Sequence, residues 1–250
     1  MIDAGSAALL AAAGLGAGAV NAVAGGGSLI SFPALLAAGY PSVTANVTNS
    51  LAVLPGYLGG SLAYRRELGG QAARIRALAL TSGAGAAAGA ALLLVSPASV
   101  FEAIVPWLIL AACALLAVQP RVAAAARRRR RRENSSPALH AAVFAATVYG
   151  GYFGAGLGIM LLAILGVFVD DELQRLNALK GVLSLLVAVV TAVGFAVFGP
   201  VAWDAAAIVG VTCLIGGALG VGVARRLSAA VLRGAVIAYG VAVAIVLLGS

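Results

Sequence analysis

Hydrophobic residues run through this chain in long continuous stretches, and polar positions fall between stretches or beside two glycine-rich interruptions. A stretch of about 18–20 apolar residues spans a bilayer core as a helix. The pattern predicts helices over Ala4–Val23, Ser28–Ala38, Val43–Tyr64, Ala77–Val95, Val100–Val118, Ala138–Phe153, Ile159–Val169, Leu173–Phe198, Val201–Ala224 and Ala235–Leu248. The second and seventh are too short to cross alone, and Pro55-Gly56 predicts a kink in the third. Continuous rather than alternating apolarity argues against a membrane β-barrel. The expected fold class is all-α, a polytopic membrane protein with short or broken second and seventh helices.

Composition sharpens this reading. Of 250 residues 62% are hydrophobic and 10% charged, with mean hydropathy +1.08, whereas soluble domains carry about 25% charged residues. The net charge of +8 is concentrated: fourteen of sixteen basic residues lie after the third, fifth and ninth helices, and the turns at Ser96–Ser99 and Gly199-Pro200 have none. By the positive-inside rule the three basic loops face the cytoplasm. The chain thus divides into a first membrane repeat (1–120), an arginine-rich cytoplasmic loop (121–137) and a second membrane repeat (138–250). The run Arg127–Arg132 is read as a topology signal that touches anionic membrane lipid, with no nucleic acid as partner. Met1-Ile2-Asp3 lacks the basic start of a signal peptide. Cys113 and Cys213 lie in separate apolar helices without metal-ligand spacing. No cofactor, metal site or catalytic set is expected, because no nucleophile–base or HExxH pattern is present.

The interruptions carry the candidate chemistry. The first contains Gly25, Gly26, Gly27 and Ser28; the second contains Gly154, Gly156 and Gly158. Opened backbone is costly in hydrocarbon unless it lines a protein cavity, and helix N-terminal amides favour anions. Packing of small residues is the alternative use of such glycines. A shift of 131 residues places Gly25 on Gly156, Gly27 on Gly158, Asn46 on Asn177 and Asn49 on Lys180. Each half shows the same order of five helical elements, and an odd number per half implies two inverted repeats whose site lies where broken helices meet. Lys180 sits inside an apolar helix, at a cost of about 2.5–3.5 kcal/mol unless it faces water, a partner or an anion. Snorkelling towards the headgroups is its alternative. Asn46, Thr48, Asn49 and Ser50 crowd one short stretch, and Asn177 shares a helix face with Lys180. Asn21, Tyr149 and Tyr152 stand near the breaks. The substrate-binding candidates are therefore Lys180, Asn46, Asn49, Asn177, Gly25, Gly26, Gly27, Ser28, Gly156 and Gly158.

Gly25-Gly26-Gly27-Ser28 with Phe32-Pro33, Ala45-Asn46-Val47-Thr48-Asn49-Ser50 and Tyr64-Arg65-Arg66-Glu67 resemble the first repeat of the TauE/SafE sulfite exporter family. Tyr149 to Gly158 and Asn177-Ala178-Leu179-Lys180 resemble its second repeat. The resemblance implies a multi-pass inner-membrane carrier, not an enzyme, that moves a small sulfur-containing anion such as sulfite, thiosulfate or an organosulfonate. A proton or sodium ion is the expected coupling partner. Ala178 and Leu179 stand where the family tends to carry small hydroxyl residues. An uptake permease or passive channel, an intramembrane enzyme and a non-transporting scaffold remain the alternatives at this point, and oligomeric state is open.

Overall fold

The computed structural model describes residues 2–23, 26–63, 65–128, 136–224 and 229–249. They form helices α1 (Ala4–Val23), α2 (Ser28–Ala37), α3 (Ser42–Ala52), α4 (Leu54–Ala63), α5 (Ala72–Val95), α6 (Ala98–Arg128), α7 (Pro137–Tyr152), α8 (Leu157–Phe168), α9 (Leu173–Phe198), α10 (Trp203–Ala224) and α11 (Ala229–Gly249). A 3₁₀ turn at Arg65–Leu68 precedes α5, and no strand occurs among the described residues. Apolar spans long enough to cross a bilayer lie in α1, α5, α6 and α9, while α2 and α8 are shorter apolar helices. The protein is a multi-pass helical membrane protein.

The expected third helix is two helices, α3 and α4, that meet at Val53. Pro55 has no N–H to give to the carbonyl four residues earlier, which places the break slightly ahead of the Pro55-Gly56 kink expected from sequence. Three other boundaries move. Helix α11 starts at Ala229 rather than Ala235, which puts Arg233 on the helix. Helix α5 starts at Ala72 rather than Ala77, so Arg74 and Arg76 ride on its first turns instead of in a loop. Helix α6 runs through Pro106 and Pro120 to Arg128, so the first part of the 121–137 segment is helical. Proline forfeits one backbone hydrogen bond, but Ala123–Ala126 is a run of the strongest helix former. The thirty-one residues of α6 extend about 46 Å against a hydrocarbon core of about 30 Å. The arginine run from Arg129 onward lies outside the described residues.

Two helix pairs frame the molecule: α1 packs on α10, and α5 on α7. Each is a parallel pair seamed by glycines. A methyl group at Gly18 would overlap the Cys213 carbonyl, and one at Gly216 the Leu15 carbonyl. In the other pair Gly89 meets the Val148 carbonyl and Gly151 the Ala86 carbonyl. Backbones approach this closely in membranes because dispersion contacts between helices replace the hydrophobic drive that lipid removes.

Between the two pairs, α3, α4 and α9 pack together and the helix breaks converge. Phe32 of α2, Phe101 of α6 and Phe153 after α7 form a buried edge-on cluster, with Phe32 and Phe153 ring centroids 5.5 Å apart. This cluster lies towards the neutral end of the molecule, near the start of α6. At that end Thr48 Oγ1 accepts a hydrogen bond from the Ala202 N–H at 3.0 Å. The basic end is joined by charges: Arg74 and Arg175 each reach Asp171 at 2.8 Å.

Candidate functional site: a polar cleft at the helix breaks

A narrow, half-open cleft with about 20 Å³ of room for water lies where the breaks meet. Its polar lining is Ser28, Asn49, Ser50, Tyr57, Ser184 and Thr191, and Gly150, Phe153 and Gly154 bring the second break to it. Both halves of the chain therefore contribute.

The first break is held by α1. Asn21 Oδ1 accepts hydrogen bonds from the N–H groups of Gly26 at 3.1 Å and Gly27 at 2.8 Å. Two amides expected to be open to an anion are thus already paired. Gly27 also has no room for a side chain, since a methyl group would run into the Ala17 carbonyl. Gly25 lies outside the described residues. Ser28, the next residue, is buried and faces the cleft. The second break is built differently. Gly156 caps α8 with φ +81°, a left-handed conformation in which a non-glycine residue costs about 1–2 kcal/mol. Here Tyr149 donates its hydroxyl to the Ala155 carbonyl at 2.6 Å.

The asparagines divide by role. Asn49 lines the cleft, and its Oδ1 accepts from Ser31 Oγ at 2.5 Å. Asn46 is fully buried and donates through Nδ2 to the Tyr152 carbonyl at 2.9 Å. It ties α3 to the end of α7, and its Oδ1 has no hydrogen-bond partner among the described residues. Asn46 is therefore a strut between halves rather than part of the cleft wall.

Lys180, Asn177 and Gly158 form a separate group beside the cleft. Lys180 Nζ donates to Asn177 Oδ1 at 3.3 Å, which turns the ammonium towards the start of α9. An added methyl on Gly158 would lie 3.8 Å from the Lys180 stem, so the stem passes directly over this glycine. Lys180 is not part of the cleft wall, but it lies four residues before Ser184, on the stripe that Ser184, Val187, Ala188 and Thr191 present to the cleft. At 1.5 Å per residue its backbone is about 6 Å from that of Ser184 along the helix.

Sequence reasoning passed over Ser184, Thr191 and Tyr57. A signal for two of them was present: Ser184 and Thr191 repeat the Lys180 face at helical spacing in an otherwise apolar helix. Ser184 Oγ is buried without a hydrogen-bond partner among the described residues, whereas Thr191 Oγ1 donates to the Val187 carbonyl at 2.7 Å. A buried hydroxyl left unpaired costs about 1–3 kcal/mol, which a bound acceptor recovers.

Interrupted membrane helices that meet at a polar cleft are the arrangement of a membrane transporter's site. The chain matches the sulfite exporter TauE/SafE family over residues 10–247, and it belongs to that family. It is 29% identical over 241 residues to a "Probable membrane transporter protein ORF9" of Sinorhizobium sp, covering 93% of this chain and 88% of that protein. It is 25% identical over 213 residues to a "Probable membrane transporter protein" of Haemophilus influenzae, covering 85% and 83%. No solved structure matches it.

Proposed function

We propose that the protein is a secondary carrier that exports a small sulfur-containing anion, such as sulfite, thiosulfate or an organosulfonate. The cleft carries this reading: hydroxyl and amide groups from both halves converge on one chamber, and Lys180 stands on the same α9 stripe. Such neutral donors can hold an oxyanion without trapping it, since a hydrogen bond to a charged group contributes about 1.5–3 kcal/mol. Lys180 supplies positive charge on the path between the basic end and the cleft. With the basic end cytoplasmic, the anion passes Asn177 and Lys180 before it reaches Ser184, Asn49 and Ser28.

We take the two halves to be inverted repeats that rock against each other around the cleft. The helix pairing supports this. Exchanging the halves turns the α1–α10 pair into the α7–α5 pair, and both pairs are present and parallel. A proton or sodium gradient is the proposed drive.

The test is flux of labelled sulfite, thiosulfate and sulfoacetate in proteoliposomes with imposed proton or sodium gradients. Saturable accumulation against a concentration gradient, lost in Lys180→Gln, is expected. Flux that only equalises concentration, whatever the gradient, makes the protein a passive channel. Wild-type rates in Lys180→Gln remove Lys180 from the path.

A further inference from the structure

The charged cluster at the basic end is not part of the cleft, yet it joins the halves of the molecule. Asp171, in the α8–α9 turn, receives three kinds of donor. Arg74 Nη1, from α5 in the first half, reaches Oδ2 at 2.8 Å; Arg175 Nε, from α9, reaches Oδ1 at 2.8 Å; and the Glu172 N–H reaches Oδ1 at 2.9 Å. The connection is doubled by backbone. Arg175 Nη1 donates to the Gly69 carbonyl at 3.0 Å, and Gln71 Nε2 bridges the Glu67 and Arg175 carbonyls at 2.9 and 3.1 Å. The Asp171 and Arg74 side chains are largely shielded, at 14% and 16% exposed.

Two features make this more than a surface ion pair. First, its place: Ser184 in the cleft, Lys180, Asn177 and the start of α9 follow one another along one helix. From Ser184 to Leu173 is about 16 Å at 1.5 Å per residue, so the cluster stands at the basic end of the helix that lines the cleft. Second, its chemistry: two guanidinium groups and a backbone amide around one carboxylate are the donor set that also suits a sulfonate, sulfite or other oxyanion. The opposite, neutral end is closed by the aromatic cluster and the Thr48–Ala202 bond. There the Ser42 hydroxyl also donates to Glu102 Oε1 at 3.0 Å, but every arginine of the chain lies towards the basic end.

Resting on the anion-carrier reading above, we propose that Arg74, Asp171 and Arg175 form the basic-end gate, with the Asp171 carboxylate seated in an oxyanion site that an incoming substrate takes over. While Asp171 occupies the site, α5 is clasped to α9. An oxyanion that arrives from the basic side takes the two guanidiniums, releases Asp171 and uncouples the halves. A ligand opens a gate only by its preference for the open state, and here that preference comes from donors that the closed state gives to Asp171.

The experiment places a single reporter cysteine, Ser184→Cys, in the full chain with Cys113 and Cys213 replaced by alanine. Its reaction with a membrane-impermeant maleimide is followed from the basic-end side of membrane vesicles. Methanesulfonate serves as the inert probe anion, against chloride at equal ionic strength. Asp171→Asn should raise the labelling rate about tenfold or more, the effect of losing one charged hydrogen-bond set from the closed state. Arg74→Gln should do the same and covers the case in which Asp171→Asn fails to fold. Methanesulfonate should accelerate labelling in the protein with its native clasp and add nothing in Asp171→Asn. Rates within about twofold of the native clasp in both variants overturn the gate, since they correspond to under 0.5 kcal/mol. Equal acceleration by chloride overturns the oxyanion site. The readout requires no flux, so labelling that is gated in vesicles that transport no sulfur anion contradicts the export reading and leaves the gate standing.

Discussion

Ser184 shows what a single residue decides. Its hydroxyl is buried and unpaired among the described residues, and it faces the cleft. Ser184→Ala removes an unsatisfied group without creating a large void, so stability should hold or rise by up to about 1 kcal/mol while anion affinity falls about tenfold. Thermal unfolding in detergent beside ligand binding would separate the two effects. Asn46→Ala should behave in the opposite way, costing about 1–3 kcal/mol of stability because the Tyr152 carbonyl loses its donor. Asp171 titrates at the membrane surface. Burial works against its charge, but the Arg74 hydrogen bond, the Glu172 amide and Arg175 outweigh burial and hold its carboxyl below the ordinary carboxylate range. Arg74 from α5, Arg175 from α9 and the neighbouring Asp170 and Glu172 are the charges around it. A carboxyl depressed in the folded state contributes stability that is complete above its unfolded pKa and is lost as pH falls through the folded one. Stability measured from pH 7 down to pH 3 should therefore fall more steeply in the native protein than in Asp171→Asn.

At the scale of elements, the order of helices was legible in the sequence because apolar length and glycine punctuation are local signals. The two breaks, the short α2 and α8, and the polar start of α3 could all be read that way. The exceptions have physical causes. Pro120 marks a stop by local rules, yet the alanines that follow it sustain α6 to Arg128. The split at Val53 depends on the proline two residues later. Ser28 and Asn49 were legible as cleft residues, but Asn21 could not be read as the partner of the Gly26 and Gly27 amides. That pairing depends on how α1 turns back at the break. Asp171 lies just beyond the short α8, and its partner Arg74 is so distant in sequence that no local signal marks the pair. The glycine seams give a prediction at this scale. Gly89→Leu would drive a side chain into the Val148 carbonyl and force α5 from α7, whereas Gly83→Leu on the same helix meets open space. Overpacking of this kind costs about 1–3 kcal/mol or more, and thermal stability of the purified variants should show the difference.

At the scale of the molecule, two parallel helix pairs hold a central group of α3, α4 and α9 around a narrow cleft of about 20 Å³. One end is joined by aromatic rings, the Thr48–Ala202 bond and the Ser42–Glu102 bond, the other by arginines around Asp171. That difference suits a carrier whose cargo is an anion, because negative charge competes with Asp171 and leaves the aromatic end unaffected. The central claim is that the cleft, with Lys180 beside it, binds a small sulfur oxyanion. The most direct measurement is equilibrium binding of sulfite, thiosulfate, sulfoacetate, sulfate and chloride to the purified protein, with Lys180→Gln alongside. The account predicts saturable binding of at least one sulfur anion, weakened about tenfold or more in the variant, and little binding of chloride. A folded protein that binds none of these anions, or binds them equally well without Lys180, would contradict it.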